Sequence, residues 1–218
     1  MNDFSSRLAL YWPALLEGAW TTLWLCSIGM LLGFVLGVLI HLLANGRSRV
    51  GVAFTQVYVS FFRGTPMLAQ LLLIFYLPSA LGLDIPPMVA AAAALALNTA
   101  AYQSQILSSG FAAIPRGQLE AASIFALGKY NTLVHIQLPQ VLRLTLPALI
   151  CELIDVIKVS AVVSVISITD LMRVSQQLVS QTYRPLEVYL VAALFYLVLT
   201  SLLSVLGSLL ERRWKERT

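Results

Sequence analysis

The amino-acid sequence predicts an all-α, polytopic membrane bundle of five transmembrane helices with one short helix on the membrane surface. Hydrophobic residues make up 59% of the 218 residues and charged residues only 11%, and the mean hydropathy is +0.83. Ordinary soluble domains carry about 25% charged residues. A soluble domain of this size cannot hide so much apolar surface, so lipid is expected to cover it. The length predicts a single domain over residues 1–218.

The predicted spans differ in how clearly the sequence marks them. They cover about residues 18–44, 52–83, 87–107, 139–169 and 188–210. The first contains no Asp, Glu, Lys or Arg and exceeds the roughly 20 residues that cross a bilayer. No basic segment directly precedes it and no A-x-A site ends it, which favours a span over a signal peptide. The R-G-T-P run at 63–66 interrupts the second, which predicts one broken span or an interfacial helix followed by a span.

Basic side chains cluster at the ends of the predicted spans, where such residues set orientation. Arg47 and Arg49 follow the first span, and the tail 211–218 is strongly basic. The segment before the fourth span also carries more bases than acids: Arg116, Lys129 and Arg143 against Glu120. Loops rich in Lys and Arg stay in the cytoplasm, so an extracytoplasmic N-terminus and a cytoplasmic C-terminus are predicted. The net charge of +4 is thus assigned to the membrane rather than to nucleic acid.

The segment 115–138 is polar, with two short apolar-periodic pieces, and lies on the predicted cytoplasmic side. This pattern predicts a surface helix, a turn and re-entry into the membrane at Pro139, since proline suits the first turn of a helix. The small side chains of Ala121 and Ala122 would let such a helix seat in a groove of a partner. An ordinary interfacial helix is the alternative, and the residues alone favour it, although both interpretations stay open at this point.

The same segment resembles the coupling motif of binding-protein-dependent ABC permeases, E-A-A-x3-G-x9-I-x-L-P. Six positions match the motif: Glu120, Ala121, Ala122, Ile136, Leu138 and Pro139. Ala126 stands where the motif has glycine. If the turn requires a positive φ there, alanine is strained. Gly128, two residues later, is the alternative residue to form the turn.

Further runs resemble the polar amino acid subfamily of these permeases. They are R-G-T-P at 63–66, Ala101-Tyr102 followed by Gln105, Ile114-Pro115 with Gly117-Gln118, and the run 158–162. The pattern at 175–183 is similar to one subunit of arginine-type permeases, which pairs with a sister subunit. Gln105 replaces the subfamily's Glu, which removes a charge. The resemblance implies a type I ABC importer permease that carries a polar amino acid, with a basic, arginine-like one as the candidate.

The resemblance also implies partners in the inner membrane and on both of its sides. They are two ATPase subunits that bind ATP and Mg²⁺, a second permease that is identical or a sister subunit, and an extracytoplasmic amino-acid-binding protein. The chain itself is expected to be a transport subunit without an ATPase site or cofactor, because the sequence has no G-x-x-x-x-G-K-[ST] loop. The motif helix is expected to dock on the ATPases and to rock the permease pair between inward-open and outward-open states.

Ionisable residues within the fourth predicted span form one candidate for the substrate pathway. Glu152, Asp155 and Lys158 follow at three-residue spacing along one helix flank. Charges inside a membrane are unfavourable and usually face a cavity. The two acids could attract an α-ammonium or a cationic side chain. Alternatively, Asp155 and Lys158 form a structural pair and Glu152 lies near water.

Neutral polar residues on the third span form a second candidate. Asn98, Tyr102 and Gln105 lie on one side of that helix by their spacing. They are predicted to line the same cavity, while hydrogen bonding between helices is the competing interpretation. Gly29, Gly33 and Gly37 form a small-residue face on the first span, which predicts close packing against another helix of this chain or of a second subunit.

Other functional classes find less support in the sequence. A stand-alone secondary transporter or channel is the main alternative, but no internal repeat is visible. A membrane enzyme is disfavoured because His41 and His135 are the only histidines and no catalytic motif is present. Cys26 and Cys151 lie in apolar runs without the spacing of metal ligands, so no metal site is predicted.

Overall fold

The structure, a computed structural model, describes the backbone of residues 2–215 and the side chains of residues 11–212. The described residues form helices and no strand. The α-helices are α1 Asn2–Ala44, α2 Arg49–Gly64, α3 Met67–Ala80, α4 Pro87–Ala112, α5 Arg116–Ile124, α6 Lys129–Asn131, α7 Leu138–Val159, α8 Leu171–Thr182 and α9 Pro185–Lys215. A π-helical turn, Thr132–Gln137, joins α6 to α7, and a 3₁₀ turn, Ser160–Ile166, follows α7.

Helix α4 lies at the centre of the bundle and packs along α1. Its buried face includes Ala90, Ala91 and Ala94, and small side chains allow helix backbones to approach closely. The glycine face of α1 meets this surface within the same chain. A Cβ atom at Gly33 would overlap the Thr99 side chain of α4. The position therefore requires glycine for the two helices to stay at this distance.

The first helix is longer than the predicted span 18–44. It begins at Asn2, and its added turns pack Tyr11, Leu15 and Ala19 against α8 and α9. Burial of this apolar face stabilises a helix that extends beyond the uncharged segment. The acid at Glu17 does not end the helix, and a membrane span that starts at residue 18 stays a prediction.

The second predicted span consists of two helices, α2 and α3, that meet at an angle of 111°. Thr65 ends α2 with an extended backbone, and Pro66 precedes α3. The buried Gln70 side chain holds the bend, because its Nε2 donates to the carbonyl oxygens of Phe62 at 2.9 Å and Thr65 at 3.0 Å. Carbonyl oxygens at the end of a helix have no partner within that helix, and the Gln70 amide supplies one here.

The fourth predicted span, 139–169, differs from the structure at both ends. The helical backbone starts earlier, at Lys129, and passes through the π-helical turn into α7, so Pro139 lies inside the helical run. Proline has no N–H to donate. The turn before Pro139 is π-helical, so its hydrogen bonds join residues five apart, and the Leu138 N–H bonds to the Leu133 carbonyl oxygen. At the other end α7 stops at Val159 and tightens into the 3₁₀ turn.

The length and composition of each helix identify the candidates for membrane spans. Among the described residues, Tyr11–Ala44 and Pro185–Arg212 are long and apolar enough to cross a bilayer, and the bent pair α2–α3 passes if it counts as one span. Helix α4 has 26 residues, which exceeds the required length of about 20. Neither α4 nor α7 is as uniformly apolar as these helices, because α4 carries amide and hydroxyl side chains and α7 carries charged ones. Five spans remain a prediction.

Candidate substrate cavity and coupling hairpin

A cavity of about 450 Å³ opens between α4, α7 and the α2–α3 bend. It is called the central cavity below. Five predicted pathway residues line it: Asn98, Tyr102, Glu152, Asp155 and Lys158. Thr65 and Met67 from the bend and Leu95 from α4 complete part of the wall. The structure thus brings the polar side of α4 and the charged flank of α7 to one place.

The charges on α7 are not equivalent. Lys158 Nζ lies 2.6 Å from Asp155 Oδ1, so these two groups neutralise each other on one helix face. Their side chains are 56% and 63% exposed within this single chain. Glu152 makes no ion pair within the described residues, although it lines the same cavity.

Asn98 serves the bend as well as the cavity. Its Nδ2 donates to Gln70 Oε1 at 2.8 Å and to the Phe62 carbonyl oxygen at 3.2 Å. The competing interpretation, hydrogen bonding between helices, therefore holds for this residue together with the cavity interpretation. Tyr58 adds a third link, because its hydroxyl donates to the Leu97 carbonyl oxygen at 2.6 Å.

Gln105 lies away from the central cavity, which corrects the prediction that it lines the same space. It borders a second cavity of about 350 Å³ between α1, α2 and α4, with His41, Ser104 and Ser108. The seven residues from Asn98 to Gln105 advance the helix by about 10 Å, which separates the two side chains along the helix axis. His41 is nearly buried, and its Nδ1 lies 2.8 Å from Ser108 Oγ.

Arg63 lies beside the cavity residue Tyr102 and is a charged residue that the sequence reasoning did not select. Its guanidinium carbon lies 5.2 Å from the ring centroid of Tyr102, a cation–π distance. The available signal was a lone arginine that interrupts an apolar run inside a predicted span.

The coupling hairpin, residues 115–138, consists of α5, a turn and the start of the next helix. Helix α5 ends in a Schellman motif: the Leu127 N–H bonds to the Ala122 carbonyl oxygen at 2.9 Å, and the Ala126 N–H bonds to the Ser123 carbonyl oxygen at 3.0 Å. Ala126 has φ +53°, the left-handed conformation that glycine usually provides.

Gly128 does not form the turn, so that alternative was wrong. Its φ is −60° and it precedes α6 as an N-cap. The reversal is complete before the chain reaches it, because the Schellman bonds close around Ala126. Gly117 has open space around its Cα, which leaves the start of α5 accessible.

The motif side chains of the hairpin face in two directions. Ala122 is only 3% exposed and packs inward, whereas Glu120 and Ala121 are exposed. Ile136 and Leu138 are half-buried along the next helix, and Pro139 is exposed. The small alanine pair predicted to enter a partner groove therefore contributes only Ala121 to the outer surface.

Large apolar side chains form the outermost surface of the hairpin. Ile124, Phe125 and Tyr130, the hairpin tip, are 82%, 79% and 75% exposed. The hairpin is tied to α7 below the tip, since Gln140 Nε2 donates to Gln118 Oε1 at 2.7 Å. Sequence reasoning missed the tip because its residues fall in the variable positions of the motif.

Known proteins resemble this chain over almost its whole length. The family model described as "Binding-protein-dependent transport system inner membrane component" matches residues 29–216. The arginine transport system permease protein ArtQ of Bacillus subtilis is 37% identical over 214 residues, covering 98% of this chain and 97% of its own. A putative glutamine transport system permease protein GlnP of Rickettsia conorii is 34% identical over 200 residues, covering 91% of this chain and 92% of its own.

Solved structures give the same result. A chain of the crystal structure of an amino acid ABC transporter with histidines has a TM-score of 0.90 and 36% identity, covering 97% of this chain and 98% of that one. A chain of the inward-facing MetNI methionine ABC transporter has a TM-score of 0.74, covers 92% and 95%, and at 21% identity shares the fold alone. The chain belongs to the family of binding-protein-dependent transport system inner membrane components and has the type I ABC importer permease fold.

Proposed function

We propose that this chain is the permease subunit that carries a polar amino acid through the inner membrane of an ATP-driven importer. One observation carries the proposal: a single helical run links the coupling hairpin to the central cavity. The run starts at Lys129, within the hairpin, and its α7 part presents Glu152, Asp155 and Lys158 to the cavity. A force applied to the hairpin is therefore transmitted directly to the wall of the cavity.

The hairpin tip supplies the contact for a motor. Large exposed apolar side chains mark interaction sites, and the basic residues near this segment favour the cytoplasmic side. Two ATPase subunits, which bind ATP and Mg²⁺, would seat the tips of two permeases, identical or sister. Closure of the ATPases around ATP would tilt α7 and open the cavity alternately to each side. This orientation places the N-terminus outside and the C-terminus inside.

The central cavity supplies the passage. A cavity lined by an amide, a phenol and an ion pair can replace part of the hydration shell of a polar solute. The unpaired Glu152 attracts a positively charged group, and Asp155 adds to the negative wall although Lys158 neutralises part of its charge. The relatives named for arginine and glutamine transport support an amino acid as solute and favour arginine as one candidate. An extracytoplasmic binding protein would deliver it.

The experiment compares two surfaces in the assembled importer. The permease is co-expressed with the ATPase subunit of its importer, and the double variant Phe125→Ser with Tyr130→Ser is compared with the unaltered chain. We expect the variant to lose co-purification of the ATPase. Leu186→Ser is the matched control, because Leu186 is 75% exposed and lies at the start of α9, away from the hairpin.

The outcome separates the importer from its main alternative. Retained co-purification in the double variant would contradict the docking role of the tip. Uptake driven by an ion gradient, in liposomes that contain this chain alone, would favour a secondary transporter. ATP-driven uptake that requires the ATPase and the binding protein supports the importer.

A further inference from the structure

A shallow groove of about 420 Å³ follows the outer face of α9, away from both cavities described above. Its lining runs from Leu186 to Leu197, and among the described residues that line it only Glu187 is not apolar. The small side chain of Ala193 leaves space between Leu190 and Leu197, about one turn to either side. Such a lining suits a hydrocarbon chain and offers a polar solute few hydrogen-bond partners.

The groove is as long as one leaflet of a bilayer. The eleven residue steps from Leu186 to Leu197 rise about 16 Å, and one leaflet contributes about 15 Å of hydrocarbon. Helix α9 is long and apolar enough to cross a bilayer over Pro185–Arg212, and only 17% of its most apolar stretch is buried within the chain. The groove of the single chain is therefore open to lipid along its whole length.

An ion pair lies at the end of the groove where α9 begins. Arg184, just before the helix, donates from Nη1 to Glu187 Oε1 at 2.9 Å. A guanidinium carries five N–H donors, and the Arg184 side chain is 47% exposed, so donors remain for an anion outside the chain. Tyr183, the preceding residue, is also exposed, and tyrosine is a residue type that lies at the level of lipid headgroups.

We propose that this groove binds a phospholipid with a zwitterionic headgroup, with its phosphate on Arg184 and one acyl chain along residues 190–197. A guanidinium matches phosphate oxygens in a bidentate arrangement. The Arg184–Glu187 pair has no net charge and neither has the headgroup, whereas an anionic headgroup would add a negative charge beside Glu187. The lipid belongs to the extracytoplasmic leaflet, an assignment that rests on the orientation in the proposed function, because α9 begins opposite its basic tail.

The test measures the binding of two lipids to the assembled importer. The permease is purified with its ATPase in detergent, stripped of lipid, and titrated with phosphatidylethanolamine or phosphatidylglycerol of the same acyl chains. Native mass spectrometry counts the lipids bound. The unaltered complex should bind phosphatidylethanolamine about fivefold more tightly than phosphatidylglycerol, which is the effect of one charge near a membrane surface.

Substitutions assign the lipid to the groove. Ala193→Phe fills the groove and should weaken both lipids about tenfold, which is the loss of one or two bound methylenes. Leu206→Phe, at an exposed position of α9 outside the groove, is the matched control and should leave both affinities unchanged. Glu187→Gln leaves the charge of Arg184 uncompensated, so it should reverse the preference in favour of phosphatidylglycerol, a pattern that misfolding cannot produce. Arg184→Gln should weaken both lipids.

Several results would overturn the lipid site. Equal affinity of the unaltered complex for the two lipids contradicts the headgroup assignment, as does a Glu187→Gln variant that still prefers phosphatidylethanolamine. Unchanged affinities in Ala193→Phe contradict the groove. A second permease on this face is the competing occupant, and a disulfide between two copies of Leu194→Cys, in a chain that also carries Cys151→Ser, would establish it instead. None of these measurements uses transport, so failure of the lipid site leaves the proposed function standing.

Discussion

Ala126→Gly tests whether the coupling hairpin contains backbone strain. Ala126 has φ +53° at the position that follows the C-cap in a Schellman motif. A left-handed conformation costs an L-residue about 1–2 kcal/mol relative to glycine. Glycine loses more conformational entropy on folding, by about 0.4–1 kcal/mol. The difference predicts that the substitution stabilises the closed hairpin by about 0.5–1 kcal/mol.

Hydrogen exchange measures this change locally. The amides of Ala126 and Leu127 donate the two Schellman bonds, so they exchange only when the turn opens. The stabilisation corresponds to exchange slowed about two- to fivefold at these amides. Ala126→Val should accelerate it, because a β-branched side chain tolerates a positive φ less than alanine does.

Gly128→Ala is the matched control. Gly128 has φ −60°, which alanine adopts freely, and a Cβ there meets no atom within 4 Å. We expect exchange within the hairpin to stay nearly unchanged. Faster exchange in Ala126→Gly, or a slowing in Gly128→Ala as large as in Ala126→Gly, would refute the assignment of strain to residue 126.

Three further predictions concern the bundle. Glu152→Gln should lower ATP-driven uptake without lowering recovery of the assembled complex. Asp155→Asn should lower uptake less, because Lys158 already neutralises the Asp155 carboxylate. Equal uptake by both variants and the unaltered protein would contradict this prediction. Gly33→Ala should destabilise the bundle by about 1–3 kcal/mol through overpacking, seen as a lower unfolding midpoint in detergent, whereas Gly64→Ala, with open space around it, should not. Asp170→Ala removes the N-cap of α8 and should lower the free energy of unfolding by about 1 kcal/mol, whereas Asp170→Asn should retain the cap. Burial raises the pKa of Asp170 from 3.8 to about 6, so the folded state favours the protonated acid and its stability should fall as the pH rises from 3.8 to about 6. Asp170→Asn should remove this pH dependence.

The class of fold was readable from the sequence because composition alone excludes a soluble domain. The helix ends were less readable. The sharp bend between α2 and α3 depends on Gln70, a residue two turns away whose amide reaches back to the carbonyls of α2. The π-helical turn before Pro139 likewise depends on how the chain accommodates the backbone N–H that proline lacks. From the sequence, a proline at that position is equally compatible with the start of a new helix.

The candidate site was predicted in part. Helical spacing grouped Asn98 with Tyr102 and Glu152 with Asp155, and the structure brings both groups to one cavity. Helical spacing gives the direction of a side chain, but it does not show which neighbouring helices surround that side chain. Gln105 was therefore assigned to the wrong cavity. The cation–π contact of Arg63 was missed because Tyr102 approaches it only through the tertiary fold.

The two less uniformly apolar long helices, α4 and α7, are also the two that supply most of the polar cavity wall. Helices α1 and α9 contain segments long and apolar enough to cross a bilayer, whereas α4 and α7 carry the amide, the phenol and the charged groups that line the cavity. A polar residue in a membrane helix is tolerated where protein or water surrounds it. Under the proposed function, the least hydrophobic helices line the path of the solute. Substitution of Glu152, which makes no ion pair within the described residues, should then alter transport before it alters folding.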